Sequence, residues 1–385
     1  MKRLVLVGGG HSHALVLNHW RQNPLPQVQL TLVSNVKQTP YSGMLPGHVA
    51  GSYSFQESHI DLPALAQAVG AELIEDTAIA LTPEKRELHC QIQKTVSYDV
   101  LSLDIGSTPY LAKIQGAEYG IPAKPVPQFL TAWQSLLERL QETKPSSLTL
   151  AIVGGGAGGV ELAFNLQTRL QSLLPETGVN LHLWQRGASI LPRHPVSARQ
   201  KINQLCQERG IVIHCQQTVS HIVPVQEKLD LSQYELVTEQ GKKLQAHAFF
   251  LLTQAAPAEW LTTSGLALDN RGFIVVEPTL QSRSHPEIFA AGDIATVVDY
   301  PRPKAGVFAI RQGKPLSKNL QRLLQGQTPQ PFIPQERYLS VLGTGDGRAM
   351  ALRGSWHSYG RPWWWLKDKI DRRFMAQFPD GIVSD

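Results

Sequence analysis

The feature that most constrains this chain is a pattern that occurs twice. Leu4-Val-Leu-Val-Gly-Gly-Gly-His-Ser-His-Ala-Leu reappears from Leu150 as Leu-Ala-Ile-Val-Gly-Gly-Gly-Ala-Gly-Gly-Val-Glu. In each copy an apolar, strand-forming run ends at a glycine cluster that opens a helical stretch. A second apolar run follows each, Leu30-Thr-Leu-Val-Ser and Leu181-His-Leu-Trp-Gln, and each unit closes on a third, Val100-Leu-Ser-Leu-Asp-Ile-Gly-Ser and Phe249-Phe-Leu-Leu-Thr-Gln-Ala. Strands alternating with helices predict an α/β protein with parallel sheets, here two Rossmann-like dinucleotide-binding domains.

The second copy reads as an insertion in the first. Gly272-Phe-Ile-Val-Val-Glu and Glu287-Ile-Phe-Ala-Ala-Gly-Asp293 return to the first unit. Residues 1–120 and 263–328 are then one domain, 121–262 the other, and 329–385 a small C-terminal segment, a hairpin carrying a Trp-rich helix. With 17% charged residues and no low-complexity stretch, disordered and collagen-like readings fail. No apolar run approaches the ~18 residues of a spanning helix. The run after Met1-Lys2-Arg3 breaks at Gly8, too early for a secretion signal, so a cytoplasmic protein is expected. Cys90, Cys206 and Cys215 are scattered, with neither C-x-x-C nor metal-ligand spacing, so no disulfide framework and no metal site is expected.

The glycine loops carry the chemistry. Gly8 and Gly154 permit the tight turn, while Gly10 and Gly156 let backbone N–H groups approach a diphosphate at a helix N-terminus. In the first copy His13 stands where a third glycine allows close helix–strand packing, and the second strand ends in neutral Ser34 and Asn35 rather than a ribose-binding carboxylate. The second copy has its third glycine, Gly159. Its second strand ends at Gln185, followed by Arg186, whose guanidinium suits a 2′-phosphate, so NADPH is at least as good a candidate as NADH. A carboxylate at the Gly292-Asp293 turn can accept from the ribityl chain of a flavin, which assigns the first unit to FAD.

These residues, with Thr39-Pro-Tyr-Ser-Gly-Met-Leu-Pro-Gly, Lys124-Pro125 and Pro303-Lys-Ala-Gly-Val-Phe-Ala-Ile-Arg-Gln-Gly, resemble the pyridine nucleotide-disulfide oxidoreductase superfamily, in particular type II NADH dehydrogenases. More narrowly they resemble the oxidoreductase module fused ahead of selenide, water dikinase in some proteins, over residues 1–378. The resemblance implies FAD contacted by Gly8, Gly10, His11, the Tyr41–Pro46 loop with Met44, Gly106, Lys124 and Asp293. It implies Lys304 and Gly306 at a helix aimed at the flavin pyrimidine, and Glu161 near the flavin–nicotinamide contact. It also implies hydride transfer from NAD(P)H and an electron acceptor such as a quinone, with Gln312 the remaining member of a glutamine pair; Val307 replaces the other. Gln254 stands where a glycine would lie near the nicotinamide nucleotide. Alternatives are a flavin module that has lost nicotinamide binding and a sulfide- or selenide-oxidising flavoenzyme. The missing cysteine pair argues against the second.

From Arg353 to Met375 the chain concentrates Arg353, Arg361, Lys367, Lys369, Arg372 and Arg373 with Trp356, Trp363, Trp364 and Trp365. No nucleic-acid-binding motif accompanies them, so nucleic acid is not an expected partner. Trp363, Leu366, Ile370 and Phe374 fall on one helical face, which either packs on the FAD domain, forms a homodimer contact, or makes residues 356–375 a peripheral membrane contact.

Overall fold

The structure is a computed structural model in which residues 1–93, 95–226 and 233–379 are described. Two five-stranded, wholly parallel sheets are built on one plan. The first has the order Ile288–Ala290, Val100–Leu103, Lys2–Val7, Val28–Ser34, Glu72–Glu75. The second has the order Ile121–Pro122, Ala248–Leu251, Ser147–Val153, Gly178–Gln185, Ile211–Cys215. Ile288–Ala290 completes the first sheet although every strand of the second sheet precedes it in the sequence. The central strands are buried on both faces, as near-continuous runs such as Leu4–Val7 and Leu150–Val153 require.

Each glycine loop leads from the central strand into a helix, His11–Gln22 in the first unit and Ala157–Leu173 in the second. The third-glycine position shows why the copies differ. A Cβ at Gly159 would strike the Gly154 carbonyl, so helix and strand touch there. In the first unit the equivalent carbonyl, Gly8 O, instead bonds His13 Nδ1 at 2.7 Å, and His13 Nε2 bonds Ser102 Oγ at 2.8 Å. The imidazole fills the helix–strand gap, and burial holds it neutral by lowering its pKa to about 4. The long helix Gly306–Leu324 packs on His11–Gln22, where Gly313 leaves room for Leu15.

The C-terminal segment has three antiparallel strands rather than a two-stranded hairpin: Ser340–Gly343, Ala349–Arg353 and Trp356–Gly360. Gly354-Ser355, with Gly354 at φ +59°, makes the extra tight turn, a pairing signal in the sequence itself. Leu342, Met350 and Leu352 join the core of the second unit, whereas Phe374 and Phe378 join that of the first. The segment therefore clamps the two units together. Its helix, Arg361–Met375, buries the predicted stripe only in part: Phe374 is buried, Trp363 and Leu366 are half-buried, and Ile370 is 46% exposed, while Lys367 and Asp371 are buried and Trp365 is 65% exposed. The buried face is turned by about one residue because polar partners await Lys367 and Asp371 beneath it. No helix among the described residues is long and apolar enough to cross a membrane.

Candidate functional site

In the first loop Gly8 has φ +90°, and a Cβ there would strike the Asp104 carbonyl. Gly10 is the N-cap of His11–Gln22 and has no side-chain cap of its own. Asp104, at the end of the strand Val100–Leu103, supplies it: its Oδ2 accepts from Ser12 N at 2.8 Å and His13 N at 3.2 Å. Sequence reasoning missed Asp104, although it stands in the Leu-Ser-Leu-Asp-Ile-Gly run it had quoted.

The end of the second strand opens on a cavity of about 300 Å³ lined by Ser34, Asn35, Lys37, Glu75, Asp76 and Thr77. Ser34 Oγ is occupied locally, donating to Val36 O at 2.8 Å. The carboxylate absent from that strand comes from its neighbour: Glu75 is in register with Ser34. An adenosine ribose can thus meet an ionised acceptor after all.

Beyond the first glycine loop, His11, the Tyr41–Pro46 loop, Gly306, Gly292 and Asp293 converge. His11 Nε2 accepts from Ser42 N at 3.2 Å, and a Cβ at Gly306 would meet Ser42 Oγ. Burial lowers the His11 pKa to about 4. Tyr41 and Met44 are buried, and Pro46 lies in the first turn of the short helix Leu45–Val49. Asp293 Oδ2 accepts from Lys124 Nζ at 2.6 Å and from Ser107 Oγ at 2.9 Å. Although burial opposes it, those partners hold the Asp293 carboxyl below its ordinary range. Its Oδ1 is left for a ligand hydroxyl. Gly106, at φ +71°, is next to Ser107 with open space where a Cβ would be. Lys304 Nζ donates to Ala295 O (2.6 Å) and Thr296 Oγ1 (2.9 Å) and sits 4.1 Å from the Phe273 ring centroid; burial lowers its pKa to about 8. Gln312 is buried, and its Oε1 accepts from Gly292 N at 2.7 Å, so its amide oxygen holds the Gly292-Asp293 turn.

In the second loop Gly154 has φ +132°, and space is open beside Gly156. Gln185 folds over the loop, its Nε2 donating to Ser189 O at 3.2 Å. Arg199 Nη1 donates to Ser189 Oγ at 2.6 Å, which brings a second guanidinium to this end of the strand, where Arg186 is exposed. Gln254 is exposed, with its backbone carbonyl on Tyr110 N.

Glu161 is the fifth residue of the helix Ala157–Leu173. It lies half-buried under the C-terminal segment, Oε1 accepting from Gly343 N at 2.8 Å. Burial, opposed by Lys367, pushes its carboxyl up to about 7. Lys367 Nζ donates to Asp371 Oδ2 at 2.6 Å and to Gly43 O, and Asp371 Oδ1 accepts from Tyr41 OH at 3.0 Å. A connected polar cluster thus runs from the Glu161 neighbourhood to the Tyr41 loop. The i,i+4 spacing of Lys367 and Asp371 was the one sequence signal for it.

The three cysteines lie on separate elements and are free. Burial pushes the Cys90 and Cys206 thiols up to about 11 and about 12, and raises Cys215. None is poised as a thiolate.

Residues 2–313 match the model of the pyridine nucleotide-disulphide oxidoreductase family. The chain belongs to this family. Like others of that class it is an FAD-dependent enzyme that uses NAD(P)H. It is 24% identical over 350 residues to NADH dehydrogenase-like protein YutJ of Bacillus subtilis, covering 89% of this chain and 90% of that protein. It is 19% identical over 370 residues to a type II NADH:quinone oxidoreductase of Staphylococcus aureus, covering 91% and 90%. The fold matches NDH2 of Plasmodium falciparum, solved in complex with NADH, with a TM-score of 0.80 at 14% identity, over 98% of this chain and 97% of that one.

Proposed function

We propose that this oxidoreductase passes reducing equivalents from NAD(P)H to a quinone. The carrying observation is the polar cluster in which the buried Lys367, Asp371 and Tyr41 lie beside Glu161, under the C-terminal segment. Quinone relatives of similar length support it, the Staphylococcus aureus protein among them. FAD, when bound, supplies the two-electron relay between nicotinamide and acceptor. Gly8, Gly10 and His11 with the helix N-terminus would hold its diphosphate, Asn35 and Glu75 its adenosine ribose, and Asp293 its ribityl chain; the cavity beside Asn35 and Glu75 and the open space beside Gly106 fit that group. The start of helix Gly306–Leu324 and Lys304 would supply positive potential to its ring.

NAD(P)H + H⁺ + quinone gives NAD(P)⁺ + quinol, so one proton must come from outside the hydride. Glu161, pushed up to about 7, carries a proton near neutral pH, and the Lys367 ammonium beside it stabilises the anion left when that proton leaves. The second loop, with Gly154, Gly156 and Gly159, would take the nicotinamide nucleotide. Arg186, with Arg199 nearby and Gln185 in place of a carboxylate, favours NADPH. The exposed Trp365 and Ile370, with Lys369 5.3 Å from the Trp365 ring centroid, form a face suited to an anionic membrane surface.

The test is anaerobic mixing of FAD-loaded protein with NADPH and, separately, NADH, followed by a soluble quinone. Bleaching of the flavin band by NAD(P)H and its return on adding quinone are expected. Bleaching without return overturns the quinone assignment, and no bleaching overturns hydride transfer.

A further inference from the structure

Asp104 is fully buried between the two loops assigned above to FAD, and nothing in that assignment uses it. On one side its Oδ2 caps the amides of Ser12 and His13. On the other its Oδ1 lies against Gly292, where a Cβ would strike it; a Cβ at Gly10 would strike the same carboxyl group. Ser12 Oγ donates to Ala309 O at 2.9 Å and Gln312 Oε1 accepts from Gly292 N, so neighbouring contacts lock both loops in place around this side chain.

The charged and titratable groups around it do not compensate an anion. His11 and His13 are neutral near pH 7. Asp293 is a like charge, and its cation, Lys124, is bonded to Asp293 itself. Lys304 is held by Ala295 and Thr296. From helix Gly306–Leu324 the uncharged Ala309 and Gln312 reach the loops on either side of Asp104. Among the described residues no ion pair reaches Asp104. A diphosphate at the same helix N-terminus adds further negative charge.

We propose that Asp104 is the floor of the diphosphate site and is a neutral carboxylic acid in the FAD complex, so that FAD bound above neutral pH takes up one proton. This deepens, and rests on, the assignment of FAD to the first unit. The atoms balance simply: the complex carries H on Asp104, and release gives FAD, H⁺ and the ionised side chain. Since Oδ2 accepts from two amides, the proton belongs on Oδ1, facing Gly292. Burial already pushes this carboxyl up to about 7 without a phosphate beside it, and a neighbouring anion pushes in the same direction.

The experiment is dilution of holoprotein into buffers from pH 6 to pH 8.5 with FAD release read by flavin fluorescence, for wild type, Asp104→Asn and Asp104→Ala. Asn keeps the shape, offers an oxygen to the two amides and a donor toward Gly292, and does not titrate. Wild-type Kd should be flat below about pH 7 and rise about tenfold per pH unit above it, relative to Asp104→Asn. Lys304, pushed down to about 8, acts in both proteins and cancels in that ratio. Asp104→Ala, which removes the cap, should hold FAD more weakly than Asp104→Asn throughout. Parallel wild-type and Asn curves, or a folded Asp104→Asn that retains no FAD, overturn the proposal. If Asp104→Asn does not fold, proton release by wild type in weak buffer at pH 7.5 decides: a proton accompanying FAD supports it, none overturns it. A wild-type protein that holds no FAD at any pH instead removes the FAD assignment on which it rests.

Discussion

The buried pair in the C-terminal helix gives a prediction whose size follows from the contacts. The Lys367 and Asp371 side chains are only 8% and 6% exposed, with Nζ 2.6 Å from Oδ2. Lys367→Met keeps the aliphatic stem but strands Asp371 with Tyr41 alone and leaves the Gly43 carbonyl without its donor. Removing one member of such a pair costs about 3–5 kcal/mol, most of it the unpaired charge left behind. Trp364, Phe374 and Phe378 still hold the helix, so the loss falls first on its docking rather than on the whole fold. Three kcal/mol corresponds to about a 160-fold rise in the opening equilibrium. Hydrogen–deuterium exchange of peptides covering 361–375 at one pH reads it directly. Lys367→Met should speed exchange there about a hundredfold or more, while peptides of the second sheet change little. The double variant Lys367→Met, Asp371→Leu removes both charges and should recover most of that protection, short of the Gly43 and Tyr41 hydrogen bonds, each worth about 1 kcal/mol. If the single variant exchanges within a few-fold of wild type, or the double is as fast as the single, the pair does not clamp the helix.

Glu161 predicts a pH dependence. Its carboxyl is raised from 4.5 to about 7 in the folded chain, so the stabilisation from its protonated form is whole below pH 4.5 and is lost as pH rises through 7. Between pH 5 and pH 7.5 wild type should lose up to about 3 kcal/mol relative to Glu161→Gln in urea titrations, and equal slopes would refute the assignment. Asp293→Ala should purify without FAD, with unchanged far-UV circular dichroism, since losing a charge-assisted hydrogen bond of about 2–3 kcal/mol weakens binding at least about 30-fold; a yellow variant contradicts the ribityl assignment. Trp365→Ala with Ile370→Ser should abolish co-sedimentation with phosphatidylglycerol vesicles while leaving NAD(P)H bleaching intact, and unchanged co-sedimentation removes that face from membrane contact.

What was legible in the chain divides along a physical line. Periodicity and glycine placement reflect local backbone demands, so the two parallel sheets and the helix after each loop could be read directly. Gly8 and Gly154 have positive φ and backbone carbonyls where a Cβ would stand, constraints that leave a mark at the glycine itself. Polar side chains that work only through a distant partner leave no such mark. Glu75 stands beside Ser34 because two strands pair in one register, and Asp104 caps a helix ninety-odd residues away. The C-terminal helix shows the same limit with its sign reversed. A hydropathy stripe through Trp363, Leu366, Ile370 and Phe374 assigns Lys367 and Asp371 to solvent. The folded chain turns those two inward, because Gly43 O and Tyr41 OH offer them bonds that water would otherwise supply. A buried ion pair is costly without such partners, so its placement beside Glu161, half-buried and protonatable, is hard to account for by stability alone. Packing would have been served as well by apolar residues. The charge retained there is what a proton-handling site needs, and an apolar reading of the helix cannot reveal it.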